Sequence, residues 1–319
     1  MTKVRGLFIG VTTLDCIYQA EHPPAANEKV MALKSLMVAG GPATNAAVAF
    51  AQLGRQNRAV LASVLGEHSL TSLLREDLQG QGVILADLDP SRLGPPPVSS
   101  IVVSAATGDR AVISRSAADL QIEGSQVSKE ILDGVDIILI DGHQMAASAQ
   151  IAQWAKARQI PVVVDAGSWK PNFETVLAAA DVVIASANFY PPGGEAGGEN
   201  RAAVFDYLRS HNIPKIAITH GAAPIFYCDS DESESLAVHL EEPLEVPQVR
   251  AVDTLGAGDI FHGAFCHFFL THTFKESLMK ASRTASFACQ HWGTRDWTKI
   301  YRITDEDDEN ADEYVDEGE

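Results

Sequence analysis

The chain is short of basic residues, of aromatics and of cysteine. Lys and Arg number 24 against 42 Asp and Glu, a formal charge of −18. That balance excludes general nucleic-acid binding, which needs a basic footprint to displace counterions. The deficit is uneven: residues 305–319, DEDDENADEYVDEGE, hold ten acids and no base, which leaves −8 on the remainder. Residues 304–319 read as a solvated, disordered tail that aids solubility, with partner binding as the alternative. The four cysteines, Cys16, Cys228, Cys266 and Cys289, lie far apart and form no CxxC. They exclude a disulfide framework or zinc cage and fit a reducing compartment. Cys266 and Cys289 fall in apolar helical patterns and read as small core residues. No apolar run reaches the length of a membrane span, and GLFIGV near the start is too short for a signal peptide. A soluble, cytoplasmic protein with no membrane partner is expected. No GxxxxGK[ST] occurs, and the histidines show no metal-binding spacing.

What is present is a core-building sequence: 319 residues, 46% hydrophobic and 21% charged. Short apolar runs at 4–10, 59–64, 135–140, 160–165, 180–185 and 214–219 alternate with helical patterns such as ATNAAVAFAQLG and MAASAQIAQWAKARQ. Continuous apolar strands between helices predict a mainly parallel sheet covered on both faces. Two segments interrupt the alternation, 16–38 and 98–115. The second reads as a hairpin turning at Thr107-Gly108-Asp109, and Pro95-Pro96-Pro97 stiffens the chain before it. Neither segment has a helix beside it, so the two can form a small accessory sheet.

The most informative stretch is Asp253-Thr254-Leu255-Gly256-Ala257-Gly258-Asp259, followed directly by the apolar run IFHGAFCHFFL. A glycine-containing turn opening a helix leaves backbone N–H groups free to bind an anion, aided by the helix dipole. A carboxylate beside an anion site is explained if it takes the proton of a hydroxyl attacking that anion. The alternative is structural: Gly256 and Gly258 relieve a turn and Asp259 caps the helix. Gly40-Gly41-Pro42-Ala43-Thr44-Asn45 likewise precedes a helix, and is either a plain turn or a ligand-holding one.

DTLGAGD resembles, at every defined position, the signature of the ribokinase-like (PfkB) carbohydrate kinases. GGxxxN at residues 40–45 and the pair Gly10 and Asp15, expected at the end of the first strand, resemble the same family's N-terminal half. The resemblance spans residues 3–297. It implies a three-layer α/β/α sandwich with a β lid, one kinase domain over 1–303 with the lid segments inserted in it. It implies ATP and Mg²⁺, with no direct protein ligand to the metal, and it admits a K⁺ ion flanked by Asp253 and the late loop. Asp259 becomes the catalytic base, and the N–H groups of Gly256, Ala257 and Gly258 the anion hole. Asp15, Gly41 and Asn45 become acceptor ligands. Asn188, Thr219, Gly221, Thr254 and Gly293 fall in the nucleotide half, although Pro191 stands where the family's NxxE element has its Glu. Arg115, which ends the second lid segment, is either a surface arginine or a clamp for an anionic acceptor. His262 and His267 read as packing or capping residues, and the glycines of 193–198 as a surface loop.

The expected function is an ATP-dependent kinase acting on a hydroxyl of a sugar or sugar derivative, a homodimer through its lid. A nucleoside kinase and a non-catalytic nucleotide- or sugar-binding regulator are the alternatives.

Overall fold

The computed structural model describes residues 3–117, 120–193, 201–230 and 243–301. The acidic tail and residues 194–198 of the glycine-rich loop lie outside them.

The six apolar runs form the interior of one sheet. They are β1 (Val4–Ile9), β4 (Asn57–Ser63), β8 (Ile137–Ile140), β9 (Val162–Ala166), β10 (Val182–Ser186) and β11 (Lys215–His220). With β5 (Val83–Asp87) and β12 (Ala223–Asp229) at the edges, the order is β12-β11-β10-β9-β8-β1-β4-β5. All pairings are parallel except β11 with β12. Neighbouring residues on a strand face opposite sides, so a strand covered on both sides must be apolar throughout. Phe8 accordingly joins a core with Leu61, Leu139 and Ile184, under α1 (Pro42–Leu53), α2 (Thr71–Gly80), α6 (Ala257–Phe268) and α7 (Phe274–Cys289). Leu7 and Ile9 join the opposite core with Ile138, Val164 and Ile216, under α3 (Met145–Ala157), α4 (Phe173–Leu177) and α5 (Arg201–Ser210). The result is the expected three-layer sandwich. Cys266 is buried in the first core, while Cys289 is only half-buried.

A second sheet stands apart, in the order β3-β2-β6-β7: β2 (Thr13–Ala20), β3 (Lys34–Gly40), β6 (Val98–Ser104) and β7 (Arg110–Ser114). The β6–β7 hairpin turns at Gly108, whose φ of 73° is left-handed. Strand β2 begins before residue 16, so Asp15 lies on the lid strand itself rather than at the end of β1.

The register divides the lid's two faces. Asp15, Val38, Ser99 and Ser114 share one rung, and Cys16, Met37, Ser100 and Ile113 share the next, pointing the other way.

Close packing of α1 on α6 brings the helix starts together. A Cβ on Gly263 would lie 2.2 Å from the Ala46 carbonyl oxygen and 2.8 Å from the Ala49 Cβ. Glycine in α6 and alanines in α1 therefore set how near the helices lie. Among the described residues, no helix is long and apolar enough to cross a membrane.

Candidate active site

The two motif helices meet side chain to side chain. Asn45, in the first turn of α1, donates from Nδ2 to Asp259 Oδ2 in the first turn of α6, at 2.8 Å. Asp259 does not cap its helix; that position belongs to Gly256, left-handed at φ 73°. The orientation of the Asn45 amide is fixed from behind. Arg295 Nη1 donates to Asn45 Oδ1 at 3.1 Å, so the carbonyl end faces the arginine and the NH₂ end faces Asp259. Arg295 is buried, and its Nη2 donates to Ala39 O at 2.5 Å and pairs with Asp77 Oδ2 at 3.4 Å. Burial pushes the Asp259 carboxyl up to about 7; the Asn45 hydrogen bond pulls it down and the charge of Asp165 pushes it up. That value suits a base working near neutrality.

The turn before α6 presents its amides. The N–H groups of Gly256 and Gly258 have no hydrogen-bond acceptor among the described residues, and Ala257 N–H makes a long 3.3 Å bond to Thr254 O. A Cβ on Gly258 would meet nothing within 4 Å, so the space beside these amides is open. The turn has anchors on both sides. Asp253 accepts from Leu255 N and Gly293 N, each at 2.9 Å, tying the motif to the late loop. Burial raises the Asp253 carboxyl, against these amides. The Thr254 hydroxyl donates to Gly108 O at 3.1 Å, and Arg110 donates back to Thr254 O at 3.2 Å, holding the lid's tip on the motif.

Asp15, the expected acceptor ligand, is buried and accepts from the Thr13 hydroxyl at 2.6 Å. Burial raises its carboxyl against the pull of the Thr13 and Ser99 hydroxyls and of Arg295. Gly40 is required here: a Cβ would fall 1.9 Å from Asp15 Oδ2. Gly41 needs to be glycine on two counts: its φ is 99°, and a Cβ would come 2.4 Å from Val11 O. Gly10 has the same purpose for a different carboxylate, Asp141, 2.0 Å from where its Cβ would be.

Asp141 follows β8 and accepts from Val11 N (3.1 Å), Ala43 N (3.2 Å), His143 N (2.8 Å) and His143 Nδ1 (3.1 Å). Burial alone would raise its carboxyl, but the His143 charge and these bonds hold it below the usual range. It pins the start of α1 to the end of β1.

The residues expected to border a nucleotide gather at the carboxyl ends of β10 and β11. Ser186 pairs with Thr219, Ala187 N donates to Thr219 O at 2.9 Å, and exposed Asn188 follows. Gly221 turns the chain into β12 at φ 56°, with open space where a Cβ would stand. Gly293, at φ 66°, closes the late loop. Arg115 lies exposed just past β7; among the described residues, the hydrogen bonds around Asp15 and Asp259 do not include it.

Sequence reasoning missed Asp141, Arg295 and Asp165, because each acts on partners remote in the chain. The readable signals were slight: an acid directly after a run of apolar residues, twice, and an arginine directly after Gly293-Thr294.

Known proteins resemble this chain in sequence and in fold. Ribokinase of Bacillus subtilis is 22% identical over 90% of this chain and 93% of its own length. An ATP-dependent ribose-1-phosphate kinase of Halopiger xanaduensis is 26% identical over 84% of this chain and 86% of its own. A ribokinase structure from Arabidopsis thaliana, complexed with ribose and ATP, shares the fold with TM-score 0.67 at 20% identity, covering 92% of this chain and 94% of that one. The pfkB family carbohydrate kinase profile matches residues 6–300. With a signature helix, a β lid and a family match over nearly its whole length, the chain belongs to the pfkB family of carbohydrate kinases, phosphotransferases that take an alcohol group as acceptor.

Proposed function

We propose that the protein transfers the γ-phosphate of ATP to a hydroxyl of a neutral sugar held beneath the lid. The Asn45–Asp259 contact carries this reading, because it joins the acceptor-side helix to the helix that opens on free amides. Asp15 and the remaining Asn45 N–H orient the acceptor. Asp259, with Oδ2 held by Asn45, takes the hydroxyl proton on Oδ1 as the new P–O bond forms. The amides of Gly256, Ala257 and Gly258 take up charge on the transferred phosphoryl, Ala257 releasing its long bond to do so.

Asn188, Thr219 and Gly221 border the nucleotide, and the relatives named for ATP support that half of the reading. Among the described residues no His, Cys, Asp and Glu cluster is built to hold a metal. Mg²⁺ would be held by the phosphates of bound ATP and would supply neutralisation of their charge. The work of the chain is positioning and a water-poor cleft.

The rung that carries Asp15 holds Val38, Ser99 and Ser114, with no cation. Hydroxyls and a carboxylate suit a polyol better than a phosphosugar or sugar acid. Tyr18 points to the face opposite Asp15, which removes it as a stacking platform and disfavours a nucleoside. ADP release measured over neutral pentoses and hexoses, phosphosugars, sugar acids and nucleosides tests this. Turnover confined to neutral sugars is the expected result. Turnover confined to another class replaces the acceptor, and silence throughout supports the regulator. Asp259→Asn should cost on the order of 10²-fold or more in kcat. Near-normal turnover would remove Asp259 as the base.

The lid's outer rung, with Met37 62% and Ile113 79% exposed, is the surface through which we propose the chain dimerises.

A further inference from the structure

His262 lies one turn beyond Asp259 in α6, and its Nδ1 is 2.7 Å from the carbonyl oxygen of Gly258. A carbonyl only accepts, so Nδ1 carries the hydrogen, and in a neutral ring Nε2 is a bare lone pair. That nitrogen is buried with no hydrogen-bond partner. It faces Asp165 Oδ1 at 3.7 Å. Asp165, at the end of β9, is 8% exposed, and its carboxylate accepts no hydrogen bond from the described residues. Two acceptors facing each other in a largely buried site are unfavourable. A single proton resolves the conflict, either as imidazolium against carboxylate or as carboxylic acid against imidazole.

We propose that His262 and Asp165 share one proton, and that this neutral pair is a positioning element which keeps a second carboxylate from competing with Asp259. Asp165 lies close enough for its charge to act on Asp259, and His262 acts in the opposite sense. The other charged groups around the pair are Asp141 and His143 after β8 and Lys170 after β9. Around Asp259 they are Arg110 from β7 and Arg295 from the late loop. Unpaired and ionised, Asp165 would form with Asp259 a carboxylate couple in which one member is held protonated. His262 is thus more than a packing residue: it fixes Gly258 through Nδ1 and occupies Asp165 through Nε2.

The inference rests on Asp259 being the base, so the test has one arm independent of turnover. His262→Asn removes Nε2, and Asp165→Asn replaces the acid by a neutral amide that can donate to Nε2. In thermal melts at about pH 8, His262→Asn lowers Tm by several degrees, and the double variant recovers part of the loss. In kcat/KM profiles, the acid limb of His262→Asn moves up by about 1 pH unit, returns in the double variant, and does not rise in Asp165→Asn. Additive melts, or an acid limb that stays put in His262→Asn, would overturn the pair. Should His262→Asn fail to fold, Asp165→Asn decides alone: an acid limb that rises rejects the proposal. Rescue in the melts together with no turnover on any acceptor would count against the kinase assignment and leave the shared proton standing.

Discussion

Asp259 has two properties that pull in opposite directions. Its carboxyl is raised to about 7, chiefly by burial. A raised carboxyl favours the folded state while it is protonated, and that contribution is lost as pH rises through the folded value. The proposed base must be ionised, so activity should rise over the interval in which stability falls. Asp259→Asn should therefore raise Tm at about pH 8 relative to the parent while abolishing most turnover, and the gain should shrink as pH falls below about 7 and vanish near the unfolded carboxyl value of about 4. A Tm gain that is equal at both pH values would mean the carboxyl is not raised. Arg295 offers the converse case. Its guanidinium is buried and holds Asn45 Oδ1, Ala39 O and Asp77. Arg295→Met leaves those acceptors unpaired, at a cost of about 3 kcal/mol by urea denaturation. It also frees the Asn45 amide to turn, so kcat should fall in the fraction that stays folded. Unchanged kcat would show that Asn45 is oriented by something else. Asp15→Ala is a third test at this scale: it should raise the sugar KM strongly with a smaller effect on kcat, and an unchanged KM would remove Asp15 from the acceptor site.

At the scale of elements, the site exists because two helices start at the same place. Gly263 lets α6 lie against Ala46 and Ala49 of α1, and the Asn45–Asp259 bond is the consequence. Gly263→Ala inserts a methyl where the Ala46 carbonyl stands, at a cost of about 1–3 kcal/mol. Pushing the helices apart also stretches that bond, so kcat should fall with stability. A fall in stability alone would separate packing from catalysis. Much of this level was legible in the sequence. The six inner strands announce themselves as apolar runs because both their faces are covered. The edge strands β5 and β12 did not, since VILAD and APIFYCD each keep residues at least partly open to solvent. The glycines were legible as turns but not as clearances: nothing local says that Gly10 makes room for Asp141 or Gly40 for Asp15. Arg295 was illegible for the same reason, its partner Ala39 lying 256 residues away.

Across the whole molecule, charge and exposed apolar surface bear on the same question. The lid's cleft face carries Asp15, while its opposite face presents Met37, Ile113 and the half-open Tyr18 on neighbouring rungs. Side chains of this kind, set together on one sheet face, are characteristic of an interface. Burying them against the same face of a second copy gives a two-fold contact, in which each subunit offers the other one patch. The chain's net charge of −18 works against that association, because two like-charged bodies approach each other. Screening shortens the reach of that repulsion to about 8 Å at physiological ionic strength. A dimer held by an apolar patch should thus tighten as salt rises, whereas one held by ion pairs should loosen. Sedimentation across a salt series separates the two, and Met37→Asp with Ile113→Asp should give a monomer at every ionic strength. A monomer in the unaltered protein at micromolar concentration and high salt would reject the lid as the interface. If the dimer forms, its partner's lid stiffens the sheet that carries Asp15, so the monomeric variant should show a raised sugar KM before it shows any loss in kcat.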